Sequence, residues 1–256
     1  MRRKTPVLVG IILAAILVLS LTATAMLIPA NDEAKEHSQA TDHSQAIDKT
    51  ESGNWDLERI DFIHYVRPDV QPKAPKAESC YKLLGVKWKA LPVNYVINPT
   101  NLEGLKEAFV TAAVSTSAET WDIGTSSELF NDTYTIDSTA QYGVQNFQNA
   151  IVFSDYPDER VIAVTSIWYT PKGKQIVEFD MLFNTRFDWG DASLDSTKMD
   201  LQNIATHEFG HSIGLGDLYS STCSEVTMYG YSIEGETKKR TLEEPDRTGL
   251  QVLYGA

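Results

Sequence analysis

The stretch ATHEFGHSIGLGDLY (205–219) decides how this sequence is read. On a helix, residues four apart stand one above the other on one face, so His207 and His211 can reach a single metal ion. Glu208, beside the first of them, faces the same cleft without having to ligate, and is placed to accept a proton from water held by that ion. Gly214 comes three residues after His211, and glycine readily takes the left-handed conformation that ends a helix and turns the chain back. Such a turn carries Asp217 to the metal as third ligand and leaves a fourth position for water. The alternative is an exposed aspartate after a helix, with a histidine elsewhere completing the site. The sequence holds five histidines, His37, His43, His64, His207 and His211, and only the last two follow Cys80. A third imidazole is therefore not expected in the domain that carries the motif, and carboxylate oxygen is an ordinary zinc ligand, which favours Asp217.

Around the motif the chain reads as one α+β domain over residues 80–256. VNYVIN (93–98) alternates like a strand, and Asn101 to Trp121 is helical in pattern, with Leu102, Leu105, Phe109, Ala112, Ala113 and Trp121 on one face. NAIVFSD (149–155), RVIAVTSIWYT (160–170) and KQIVEFDMLFN (174–184) are β-rich. A helical pattern follows from Asp195 to Gly214, and a last helix is expected over PDRTGLQVLYG (245–255), where Pro245 suits a first turn.

Upstream the texture differs. MRRKT precedes an uncharged run from Val7 to Ala30, which reads either as a secretory signal, with Ala23-Thr24-Ala25 as a cleavage pattern, or as a membrane anchor with its N-terminus in the cytoplasm. Both place the rest of the chain outside the cytoplasm, extracellular or on the cell surface. Residues 31–79 are expected to be a disordered tether or a pro-segment: HSQATD (37–42) repeats as HSQAID (43–48), then comes an amphiphilic patch WDLERIDFIHYV (55–66), either a pro-segment that docks on the domain or a sticky part of the tether, and then a Pro/Lys spacer (67–79). The net charge of -13, with all three bases of the first 30 residues in Arg2, Arg3 and Lys4, excludes nucleic acid as a partner, because phosphate neutralisation supplies most of that affinity. Two cysteines exclude a disulfide-dense miniature scaffold. In an exported protein Cys80 and Cys223 are expected to pair, the rival being that one of them ligates zinc in a latent form.

HEFGHSIGLGD together with VTMYGYS (226–232) resembles the metzincin clan of zinc endopeptidases in its matrixin branch, and the HExxHxxGxxD form resembles the prokaryotic and archaeal-type matrixins. The resemblance spans roughly residues 80–256. It implies a metzincin-like α+β fold: a twisted, mostly parallel sheet with an antiparallel edge strand, an active-site helix and a C-terminal helix. It further implies that Met228 forms a floor beneath the ligands, in a Met-turn, and that Tyr229 walls the primed-side pocket. VIAVTSIWYT (161–170), with Val164 and Ser166, is then the edge strand that binds an extended polypeptide antiparallel to itself. The chain departs from the animal branch at Asp217, where those enzymes have histidine, at Gly230, where they have proline, and at ESCYKLLG around Cys80, which is not their cysteine-switch motif.

The expected function is that of a zinc-dependent endopeptidase, a monomer with one catalytic Zn²⁺ on His207, His211 and Asp217 and with Glu208 as general base. Two alternatives stand beside it: a catalytically inactive metzincin-like domain that binds peptides or a partner at the cell surface, and a metal-dependent hydrolase of something other than protein. Asp188, Asp191, Asp195 and Asp200 either support a Ca²⁺ site or solvate a loop.

Overall fold

The structure, a computed structural model, describes residues 46–48, 51–52, 55–69 and 79–256. The expected signal or anchor segment, the first copy of the repeat and most of the Pro/Lys spacer lie outside those residues. In chain order the N-terminal strands are β1 (Ala46–Asp48), β2 (Glu51–Ser52), β3 (Trp55–Asp56) and β4 (Glu58–Val66). Next come β5 (Val96–Ile97), helix α1 (Glu107–Asp122), β6 (Thr135–Ile136), β7 (Ala150–Ser154), β8 (Val161–Thr170) and β9 (Gln175–Asn184). The short strands β10 (Trp189–Gly190) and β11 (Met199–Asp200) precede α2 (Leu201–Ser212), and β12 (Tyr231–Ser232) precedes α3 (Glu244–Tyr254).

Along the main sheet the strand order is β1-β4-β8-β9-β7-β5-β6, with β12 paired to β4. β9, β7, β5 and β6 run parallel to one another, and β8 runs antiparallel to β9. The long strands have the textures their burial demands. β8 is buried at nearly every position, as a strand covered on both faces must be, and its sequence is correspondingly apolar except at Thr165, Ser166 and Thr170. β4 alternates, sending Ile60, Phe62 and His64 inward and Arg59, Asp61 and Ile63 toward partial exposure.

Two expectations need correction. β8 is not an edge: β4 pairs antiparallel with it from Glu58↔Tyr169 to Tyr65↔Val161. Residues 58–66, read either as a pro-segment that docks on the domain or as part of a tether, form a strand of the same sheet. The second concerns α1, which starts at Glu107 instead of Asn101. The Asn101 side chain accepts the Leu105 N–H and donates to the Pro99 and Leu105 carbonyls, and Gly104 at φ +71° completes a turn that a helix cannot absorb. Leu102 is consequently 80% exposed, and the buried face of α1 is Val110, Ala113, Val114, Ala118 and Trp121.

α1 packs on α2 through both apolar and polar contacts. Trp121 donates its indole N–H to the Thr206 carbonyl at 2.7 Å, and Ser117 Oγ donates to the Gln202 carbonyl. α2 begins at Leu201, after the expected start, because Asp200 caps it by accepting the Asn203 N–H, while Asp191 and Asp195 hold the preceding segment in turns. Phe209, on the face of α2 away from the site, packs edge-on against Phe130 and Phe179 in the main core.

Cys80 and Cys223 form a disulfide across 143 residues of chain, so neither thiol is available to a metal. Closing so long a loop stabilises by up to roughly 5 kcal/mol in the chain-entropy treatment. Replacing both cysteines by Ser is therefore expected to shift urea unfolding to clearly lower midpoints, with a steeper dependence on urea because the unlinked unfolded chain exposes more surface. An unaltered midpoint would show that the bridge does not constrain the unfolded chain.

Candidate metal centre

α2 and the turn after it bring three donor groups to one point. His207 Nε2 and His211 Nε2 lie 3.1 Å apart, and Asp217 Oδ1 is 3.2 Å from the first and 3.4 Å from the second. Gly214 makes this approach at φ +103°, and a Cβ there would meet the Val86 carbonyl oxygen at 2.3 Å, so both the conformation and the space require glycine. The other ring nitrogens are fixed from outside: His207 Nδ1 donates to the Thr227 carbonyl at 2.7 Å and His211 Nδ1 to the Leu215 carbonyl at 2.9 Å. In its neutral form each ring spends its one N–H on that carbonyl and turns a bare lone pair inward.

Two lone pairs and a carboxylate oxygen converging in a buried place repel one another unless a cation lies between them. Asp217 Oδ1 is shut off from solvent and accepts no hydrogen bond. The donor set of two imidazoles and one carboxylate is ordinary for zinc, and these residues fit one ion. The electrostatics agree. Burial pushes Asp217 up, but His211 and His207 outweigh it and hold the carboxyl well below its ordinary range. Burial lowers His207 to about 4, whereas Asp217 outweighs burial at His211 and raises it. Burial and the Asp217 carboxylate together push the Tyr219 hydroxyl up.

Glu208 projects from α2 beside this group and is fully buried. Thr165 Oγ1, on β8, donates to its Oε2 at 2.6 Å, and His64 Nδ1, on β4, lies 3.0 Å from its Oε1. Burial above all pushes Glu208 up to about 7; a bound cation would draw it down again. Met228 lies under α2, so close that a Cβ on Gly210 would come within 2.2 Å of its Sδ, and Trp121 closes the same gap from α1. The Met228 turn is pinned by Asp246, a buried carboxylate of α3 that accepts the Thr227 N–H and the Met228 N–H. Because the Thr227 carbonyl orients His207, Asp246 holds a metal-facing ring through one intermediate residue.

The structure places His207, Glu208, His211 and Asp217 side by side, with Met228 beneath the helix. Tyr229 is buried against Tyr231, Lys238 and Lys239. Val164 and Ser166 do not line an open edge: they pair with Ile63 and Asp61 of β4, and Ser166 Oγ donates to Asp61 Oδ1 at 2.5 Å. The four loop aspartates are engaged by protein groups: Asp188 with Lys198, Asp191 and Asp200 with Arg240, and Asp195 with the Thr197 backbone.

His64 overturns the histidine count used above. Its ring is buried between Glu208 and Ser232, with Nε2 3.1 Å from Ser232 Oγ, and sits 4.0 Å from the His207 ring. With His207 and Glu208 it forms a second cluster of metal-ligating groups. Burial, and then His207, hold it well below its ordinary range, so the ring is neutral. Both oxygens of Glu208 are engaged, by Thr165 and His64, so the cluster with Asp217 is the better metal site. Thr165, Ser232, Lys239 and Asp246 also escaped the sequence reading; only the alternation of β4 could have pointed to His64.

A helix carrying two imidazoles and a carboxylate, a glycine turn that brings Asp217 beside them, and a methionine beneath the helix form an arrangement of the metzincin type. The chain belongs to the matrixin family, whose profile, described as Matrixin, matches residues 87–255. Similar proteins include human Matrix metalloproteinase-25, 32% identical over 111 residues that make up 43% of this chain and 19% of that protein. Metalloendoproteinase 4-MMP of Arabidopsis thaliana is 30% identical over 39% of this chain and 27% of its own length. The Hatching enzyme of Paracentrotus lividus is 35% identical over 30% of this chain and 12% of its own. The chain thus spans about a quarter or less of these relatives.

Proposed function

We propose that this chain is a zinc-dependent endopeptidase that hydrolyses extended polypeptides outside the cytoplasm. The observation that carries the reading is the convergence of His207, His211 and the unpartnered Asp217 Oδ1 beside a buried Glu208. His207, His211 and Asp217 would hold the zinc, which when bound supplies a Lewis acid that polarises the scissile carbonyl and makes water acidic enough to attack near neutral pH. Glu208 takes the proton of the attacking water on the oxygen that His64 now faces, and returns it to the leaving amine. Thr165 holds the other oxygen and so fixes the carboxylate plane. The Thr227 and Leu215 carbonyls keep both rings in the tautomer that presents Nε2. Export rests on the N-terminal sequence and on family membership.

Because β4 lies over the site, hydrolysis should be measured on the full chain and on chain cut after folding at a specific protease site placed in the 67–79 spacer. A quenched peptide library is expected to be cleaved by the cut protein, inhibited by chelator and restored by zinc. Cleavage that persists in chelator would contradict the zinc assignment. No turnover of any peptide with zinc bound would favour a peptide-binding domain.

A further inference from the structure

Beyond Gly214 the chain turns back, and residues 217–219 run extended beside the Met228 turn. The Leu218 N–H donates to the Met228 carbonyl and the Gly230 N–H to the Leu218 carbonyl, both at 2.9 Å, which makes a one-residue parallel bridge between Leu218 and Tyr229. In extended backbone, residues two apart face the same side. Asp217 and Tyr219 therefore project together, and Leu218 between them turns into the core.

Gly230 provides the seat for both side chains. A Cβ there would come within 2.5 Å of Tyr219 Cε1, 2.8 Å of Tyr219 Cζ and 2.9 Å of Asp217 Oδ1, so the hydroxyl end of the ring and the carboxylate meet over a position that any side chain would fill. Tyr231 packs against the Tyr219 ring, with centroids 5.0 Å apart and planes tilted by 60°. The Tyr219 hydroxyl donates to the Asp217 carboxylate, which keeps the phenol protonated. The need for such a partner arises from the kind of ligand. Each imidazole is held from outside by a carbonyl, His207 by Thr227 and His211 by Leu215. A carboxylate has two equivalent oxygens on a freely turning bond. Asp217 comes after the helix, so nothing in α2 decides which of its oxygens faces the rings.

We infer that Tyr219 is the positioning residue of the third ligand: seated over Gly230, it holds the Asp217 carboxylate with Oδ1 toward His207 and His211. The inference rests on the zinc-site part of the proposed function and deepens it. Tyr219 does for a carboxylate what the Thr227 and Leu215 carbonyls do for the rings, and outer partners of this kind are typically worth roughly 10- to 100-fold in metal affinity. Glycine at 230, where the animal branch has proline, is required by the same arrangement.

The test is the zinc affinity of the full chain in four forms, each stripped by chelator and then titrated with zinc against a chromophoric chelator: wild type, Tyr219→Phe, Asp217→Ala and the double variant. Tyr219→Phe keeps the ring over Gly230 and against Tyr231 and removes only the hydroxyl. It is expected to bind zinc roughly 10- to 100-fold more weakly than wild type. In the Asp217→Ala background the same change should alter affinity by less than about 2-fold, because the hydroxyl acts through Asp217; a merely structural tyrosine would cost the same in both backgrounds. Equal affinity of Tyr219→Phe and wild type, or an equal loss in both backgrounds, would overturn the inference and leave the zinc site standing. Absence of zinc binding by the wild type would overturn the peptidase reading, and the inference with it. Loaded with cobalt instead of zinc, Tyr219→Phe is expected to show a visible absorption spectrum shifted from that of wild type, and coincident spectra would also overturn the inference.

Discussion

Exchange of Glu208 for Gln is expected to leave zinc near one ion per chain while lowering peptide turnover by about 10²- to 10⁴-fold, the range a positioned general base supplies. Gln keeps the shape, and its amide can still meet Thr165, so the fold and the three donors of the metal are undisturbed. It cannot take a proton. Turnover of the cut protein and metal content, measured on the same preparation, separate the two effects. Normal hydrolysis by this variant would remove Glu208 from the chemistry, and loss of metal would make it a ligand.

Asp217→Ala should behave in the opposite way. It deletes one of three donors and leaves two lone pairs 3.1 Å apart with no anion to balance a cation. Loss of an outer hydrogen-bond partner typically weakens a metal site 10- to 100-fold, so loss of a direct donor should cost more than about 100-fold in zinc affinity. Turnover should fall with occupancy and recover in part at high zinc. Wild-type zinc affinity in this variant would exclude Asp217 from the site and turn attention to His64, the next donor within reach.

These two residues were legible in the sequence for a local reason. His207, Glu208, His211 and Asp217 lie within eleven positions, and a helix followed by a glycine turn converts that spacing directly into proximity. The long strands β7, β8 and β9 were legible from composition, and the Cys80–Cys223 pair from the expectation of export. What stayed hidden depends on pairing across long stretches of chain. His64 reaches Glu208 across 144 positions, and only the register of β4 on β8 brings them together. ERIDFIHYV does alternate as a half-buried strand should, but its low-complexity flanks gave it the texture of a tether. Asp246 was hidden in the same way, since a carboxylate in the first turn of α3 reads as a helix start, and its second task, holding the Met228 turn, appears only in three dimensions.

The covering of β8 by β4 also changes what the edge strand means. Val164 and Ser166 were expected to meet substrate; in the structure they meet the chain's own Ile63 and Asp61.

The central claim, that a single zinc on His207, His211 and Asp217 drives peptide hydrolysis, is tested most directly by titrating zinc into chelated, spacer-cut protein while recording turnover. Turnover should rise in proportion to added zinc, reach its plateau at one ion per chain, and stay near zero throughout for Asp217→Ala at the same zinc concentrations. A plateau at two ions, turnover independent of zinc, or a wild-type titration curve in the Asp217→Ala protein would contradict it.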